Sequence, residues 1–392
     1  MPALAATALV CGAAAAPAQA QPPPAPPKLE LDGPGVVATG VGLSLKGRGA
    51  PPGTRVVIEI ALEGRWRTLA RATADDAGAF DRRVRPRRRR GRYLLRARAV
   101  DGRLSRRIRV RSRNVTLASV GDINLGNGPG LYIARFGVRY PWTGVAPALR
   151  RADVAFGNLE CAVSTRGAPV PKQFNFRGRP AALRAMATFA GFDVLNLANN
   201  HVGDYGTAAL LDTVRLVRRY GMRAVGAGGS LASASEPRVV ERLGLKIAFV
   251  GFSDILPASF FAGPDRAGTQ QATPGNITSS VRRARRRADV VLATFHWGVE
   301  RATVENGRQR GFASLALAAG ADAVIGAHPH VLQPIRRNGR KLTAYSLGNF
   351  VFGAASPGTT STGILELGLS TRGVERSRFR RAVISGTRPR LR

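Results

Sequence analysis

The sequence predicts a layered α/β domain preceded by a small antiparallel β-sandwich. Three observations carry this. From Val115 onward, apolar runs of strand length alternate with stretches of helical period, which is the pattern of stacked α/β layers. Five of those runs end directly on a polar group. Before Val115, short alternating runs are separated by turn sequences with no helical period between them. With 392 residues and 44% hydrophobic composition, the chain is long enough for about two domains, each with its own core.

Residues 1–20 form a small-residue apolar stretch ending in Ala18-Gln19-Ala20, which reads as a secretory signal peptide without a basic n-region. The stretch is too short to span a bilayer, and no other run approaches ~18 apolar residues, so no transmembrane helix is expected in the mature chain. The expected location is therefore secreted or cell-envelope associated. Cys11 would leave with the signal, and Cys161 alone cannot form an intramolecular disulfide. Residues 21–28 are a proline-rich linker.

Residues 29–114 are expected to form the β-sandwich, of Ig-like type, with a hairpin turn at Glu63-Gly64-Arg65. Its last part, 82–113, holds sixteen arginines and one acidic residue, Asp101. Arginine alternates there with apolar residues, as in Tyr93-Leu94-Leu95-Arg96-Ala97-Arg98, so a solvated sheet face is expected ahead of a surface for an anionic polymer. The net charge of +36, from 55 arginines and 5 lysines, fits an anionic partner or a general bias in residue usage.

The main domain is expected over 115–372, with 373–392 set apart as a basic C-terminal segment. Its five strands are predicted at 115–120, 153–156, 193–197, 289–295 and 321–325. They run into Gly121-Asp122, Asn158-Leu159-Glu160, Asn199-Asn200-His201, His296-Trp297-Gly298 and His328-Pro329-His330. A helix is expected from Thr207 to Tyr220, with Leu210, Leu211, Val214 and Val217 on one face, and another ending at Gly320. Ligand sites of layered α/β proteins lie beyond the carboxyl ends of strands, so these polar groups converge. All four histidines of the chain are among them. A single strand-end histidine commonly bonds a backbone carbonyl; four of four beside carboxylates point instead to an N/O metal shell suited to Mn, Fe or Zn. Pro329 should bias His328 toward an extended backbone, sending His328 and His330 to the same side, each toward a different ion of a pair.

The motifs SVGDINLG (119–126), FGNLECAVS (156–164), FNFRG (174–178), LNLANNHVGDYG (195–206), FHWGVE (295–300), GAHPHVLQP (326–334) and YSLGNFVF (345–352) resemble the CapA family. That family is named for capsule and poly-γ-glutamate synthesis and is similar to the calcineurin-like metallophosphoesterases. The resemblance implies a four-layer α/β/β/α sandwich with one or two divalent ions held by Asp122, Glu160, Asn200, His296, His328 and His330. It implies a catalytic role for His201, acting as general acid where water attacks a phosphorus or carbonyl centre. Two departures stand out. Asp122-Ile123-Asn124 replaces Asp-x-His, and Gly157-Asn158-Leu159-Glu160 replaces Gly-Asp, so that Glu160 is expected as the carboxylate ligand although Asn158 aligns more literally.

Asp204 is expected to orient His201, with a turn or helix cap as its other role. Arg177 could clamp an anionic substrate or simply be solvated. Asn124, Glu300 and Trp297 are expected to line the pocket, with core packing the alternative for Trp297. Three function classes follow: a secreted metal-dependent hydrolase acting on a phosphate ester or an anionic cell-envelope polymer, within the capsule machinery; a non-catalytic protein that retains or anchors such a polymer; and, least expected, a nucleic-acid binder.

Overall fold

The computed structural model describes residues 25–85, 90–255, 257–353 and 358–392. The signal peptide expected over 1–20, and the first half of the linker, lie outside those residues.

Between Glu30 and Arg113 the described strands form a three-stranded and a five-stranded sheet. Glu63 and Gly64 join Arg55–Leu62 to Arg65–Thr73 with φ of 50° and 76°, the hairpin geometry that matches strand twist. Pairing is antiparallel except at one edge, where Val36–Ala38 runs parallel to Ile108–Arg113. This departs from the purely antiparallel expectation, because the chain returns to that edge by a long crossover and not by a hairpin. The arginine alternation is real: Tyr93, Leu95 and Ala97 are buried while Arg96 and Arg98 face away. Those two arginines grip Glu59 at 2.8 and 3.0 Å, and Arg96 lies 4.1 Å over the Trp66 ring. Part of the face is thus paired and stacked, not merely solvated.

All five predicted strands are present, divided between two mixed sheets. In the first, Arg223–Val225, Val194–Asn196, Val154–Leu159 and Val115–Ile123 run parallel, followed by antiparallel Ser361–Ser370, Gly373–Ser385 and Arg388–Leu391. In the second, Leu245–Ser253, Val290–His296, Ala323–Ala327 and Lys341–Ala344 run parallel between antiparallel edges. Leu117, Phe156 and Val194 of one sheet share a core with Phe249, Leu292 and Ile325 of the other. The opposite faces pack against helices: Ala118, Val120 and Leu195 against Leu210, Val214 and Val217, and Val291 and Ala293 against Ile277, Val281 and Phe312. The layer order is helix, sheet, sheet, helix. Burial on both faces explains why the strands read as unbroken apolar runs.

An aspartate opens four of these strands and staples each to its neighbour. Asp153, Asp193, Asp289 and Asp322 accept from the backbone N–H of Thr116, Ala155, Lys246 and Val291 at 2.8 to 2.9 Å. These bonds fix strand register at the ends opposite the polar cluster.

The helix Gly206–Arg219 buries Leu210, Val214 and Val217 as expected, but Leu211 is 38% exposed and Leu216 is buried in its place. The helix Gly307–Ala319 opens on a reciprocal Asn306–Gln309 cap and closes at Gly320, whose φ of 117° favours glycine. Residues 373–392 are not a separate appendage. Ala382 and Ile384 point inward between exposed positions, and the segment supplies the last two strands of the first sheet.

Candidate metal centre

The parallel strands of both sheets deliver their carboxyl ends to one place. Asp122 is the penultimate residue of Val115–Ile123, Glu160 follows Val154–Leu159, His296 ends Val290–His296, and His328 and His330 follow Ala323–Ala327. Asn200 and His201 lie on the loop beyond Val194–Asn196. The first sheet therefore supplies the carboxylates and the second supplies three imidazoles.

Ligand atoms of Asp122, Glu160 and His296 lie within 4.8 Å of one another, and so do those of Glu160, His328 and His330. Glu160 belongs to both groups. Its carboxyl is fully buried, and neither oxygen accepts a hydrogen bond among the described residues, although His296 Nε2 lies 3.2 Å from Oε1. Burial, and then the Asp122 charge, push its pKa well above the ordinary carboxyl range. His328 Nδ1 is buried and unpartnered too. Burial holds His296 and His328 well below the usual imidazole value. Burial disfavours the charged form of His330 as well, but the Glu160 and Asp122 carboxylates outweigh it and hold that imidazole up at about 10. Two buried carboxyls, the neutral imidazoles of His296 and His328, and a His330 imidazole that would release its proton on binding are the donor set that a divalent cation satisfies.

The surrounding bonds aim this set. Asn158 Nδ2 donates to Asp122 Oδ1 at 2.8 Å and approaches His296 Nδ1 at 3.2 Å, while Asn196 donates to Asn158 Oδ1 at 2.9 Å. Asn200 Oδ1 lies 2.8 Å from His296 Nε2, and Asn349 Oδ1 lies 2.9 Å from His330 Nδ1. The His328 backbone N–H donates to Asp122 Oδ2 at 3.1 Å. His328 is not extended, as Pro329 led us to expect: its φ is 97°, and that of His330 is 60°. The bond to Asp122 and the tight turn override the pre-proline bias, leaving backbone strain at the cluster.

His201 stands beside the cluster. Its Nδ1 meets Asp204 Oδ2 at 2.6 Å, and Phe176 stacks on the ring at 4.1 Å. Burial lowers the His201 pKa against the pull of Asp204. Asp204 is wholly buried and also accepts from Lys172 Nζ at 2.7 Å and the Phe176 N–H at 2.7 Å.

Residues 116–354 match the family model described as bacterial capsule synthesis protein PGA_cap. The chain belongs to this family. It is 30% identical over 270 residues to the capsule biosynthesis protein CapA of Bacillus anthracis, covering 67% of this chain and 66% of that one. It is 32% identical over 274 residues to the PGA biosynthesis protein CapA of Bacillus subtilis (strain 168), covering 69% and 72%. The match thus spans about two thirds of the length of these relatives. Among solved structures, the NAD nucleotidase of Haemophilus influenzae superposes with a TM-score of 0.37 at 11% identity, over 71% of this chain and 60% of that one.

In this PGA_cap chain, not every expected pocket residue reaches the cluster. Trp297 is fully buried in the helix-packed outer core, stacked on Phe295 at 4.4 Å and donating to the Tyr345 carbonyl at 2.9 Å. Neighbouring strand residues face opposite ways, so with His296 turned to the carboxylate–histidine cluster Trp297 points away. Asn124 is buried with its Oδ1 accepting from the Gly126 N–H at 2.7 Å in an Asx turn. Arg177 is exposed and lies 4.1 Å over the Tyr205 ring, donating to the Gly167 carbonyl at 3.3 Å and not to the cluster. Glu300 is exposed, and its charge is felt at Glu160. Lys172, Phe176 and Asn349 escaped the sequence reading, whereas Asn158, weighed there as the alternative to Glu160, hydrogen-bonds Asp122. For Lys172 a signal existed: it is one of only 5 lysines among 55 arginines, at a position that uses a compact ammonium.

Proposed function

We propose that this chain works in capsule or poly-γ-glutamate synthesis, as the names of its Bacillus relatives say of them, through a metal-dependent, phosphoesterase-like hydrolytic site. The observation that carries the hydrolytic reading is the pair of ligand groups sharing the buried, unsatisfied Glu160. The helix, sheet, sheet, helix order supports a calcineurin-like metallophosphoesterase sandwich, and the two sheets over 29–114 are consistent with an Ig-like module. Export rests on the signal-like residues 1–20. No described helix is long and apolar enough to cross a membrane.

Asp122, Glu160, His296, His328 and His330, with the Asn200 carbonyl, would hold one or two ions of Mn, Fe or Zn. Bound there, the metal supplies polarisation of a phosphoryl or carbonyl oxygen and a more acidic water. The rest falls to the protein. Asp204 takes the His201 Nδ1 hydrogen bond and favours the doubly protonated ring, Phe176 fixes the ring plane, and the Nε2 proton of that imidazolium would pass to the leaving oxygen. Lys172 offsets the buried Asp204 charge.

A second reading, a non-catalytic protein that retains an anionic polymer, is favoured by Asn124, which stands where the calcineurin-like pattern has a histidine and whose Oδ1 accepts from the Gly126 N–H. Reconstitution with each metal, followed by phosphomonoester and phosphodiester hydrolysis assays, separates the two. Metal-dependent turnover abolished by His201→Ala is the expected result. Metal retention without turnover, together with poly-γ-glutamate binding, would favour the second reading.

A further inference from the structure

The helix Asn127–Phe136 carries its largest apolar side chains on the wrong side. It buries only Pro129 and Ile133, whereas Leu131 is 73% exposed, Phe136 53% and Tyr132 37%. A helix laid on a layered domain normally does the reverse. Tyr140, from the short turn Tyr140–Trp142, completes a cluster of rings. Centroids lie 5.9 Å apart for Tyr132 and Phe136, 5.5 Å for Tyr132 and Tyr140, and 5.0 Å for Phe136 and Tyr140. The Tyr140 hydroxyl donates to the Gly386 carbonyl at 2.7 Å, tying the cluster to the C-terminal hairpin. From that hairpin Arg388 lies 4.5 Å over Tyr140, and Arg135 lies 5.1 Å over Phe136. Neither 124–152 nor 386–392 contains an acidic residue, while Arg135, Arg139, Arg388 and Arg390 all belong to them. The helix starts beside the metal cluster but spans about 15 Å, so the rings at its far end belong to a different surface.

We propose that this ridge of rings and arginines is a peripheral contact with an anionic phospholipid surface. Tyrosine and phenylalanine settle at headgroup depth, with the apolar ring in the acyl boundary. Arginine pairs bidentately with lipid phosphate. A second copy of the chain would set the same arginines against each other, so self-association is disfavoured.

The test is flotation of the full chain with vesicles of phosphatidylglycerol and phosphatidylethanolamine, and with pure phosphatidylcholine. It is run at low salt and at roughly 0.5 M salt, where the Debye length of about 4 Å suppresses the diffuse attraction of a chain this basic. The expected result is selective binding to the anionic vesicles that persists at high salt and falls at least about tenfold in Leu131→Glu/Phe136→Glu, whose sites are exposed enough to spare the fold. Leu131→Trp, read by fluorescence, should shift to the blue on anionic vesicles even if the double variant folds poorly. Equal binding of wild type and double variant, or no blue shift, overturns the proposal. So does a wild-type dimer that the double variant dissolves, which would assign the ridge to a second copy.

Discussion

Two oxygens of Glu160 sit in the protein interior without a hydrogen-bond donor, next to the Asp122 carboxylate. A buried carboxyl without a hydrogen-bond donor destabilises the metal-free fold, and His330 Nε2, 3.9 Å away, offsets only part of that cost, since burial and the Asp122 charge still hold the Glu160 pKa up. Glu160→Gln should therefore raise the melting temperature of the metal-free protein by a few degrees, on the order of 1 kcal/mol, while sharply lowering metal content. A thermal melt with metal analysis on the same sample checks both signs, and a variant with lower apo stability and unchanged metal would contradict the shared-ligand role. The histidines divide by role. His330→Ala should lose metal, whereas His201→Ala should keep most of it and lower any turnover by roughly 10²–10⁴-fold, since His201 is held by Asp204 and Phe176 beside the ligand groups. Equal metal loss in the two variants would make His201 a ligand.

The strands owe their alignment to the aspartates at their entry ends. Asp322 accepts from the Val291 N–H at 2.8 Å and from Arg285 at 3.0 Å, with its side chain 15% exposed. Asp322→Ala should cost about 1–3 kcal/mol in denaturant unfolding and leave metal stoichiometry unchanged, because the staple lies at the opposite end of the strand from His328. Metal loss at equal stability would show that the two ends are coupled. In the N-terminal sheets the arginines alternate with core residues, and Arg96 and Arg98 are already paired with Glu59. Poly-γ-glutamate should therefore bind this face weakly, with affinity lost as salt rises, and a competition with duplex DNA at matched salt should show no sequence preference. Binding that survives molar salt would require a built anion pocket instead.

Across the whole molecule, what the sequence exposed was what periodicity and rarity expose. Five apolar runs ending on polar groups located the strands, and four histidines in 392 residues, all at strand ends, located the cluster. What stayed hidden depends on side-chain destination. Trp297 goes to the helix-packed core because it is one residue past His296, and the Asn124 Oδ1 accepts within a turn. His328 reaches its place through a positive φ that the pre-proline rule argues against. The last strands were masked by arginines that obscure a short apolar alternation at Ala382 and Ile384. Asp204, by contrast, was legible from its spacing to His201, while its counter-ion Lys172 comes from a segment about 30 residues away that only the fold brings near. The most direct measurement of the central claim is elemental analysis of the purified full chain after separate reconstitution with Mn, Fe and Zn. The result expected is one or two equivalents of at least one of them, falling well below one in Glu160→Gln. No metal retained from any of the three would contradict the metal centre and, with it, the hydrolytic reading.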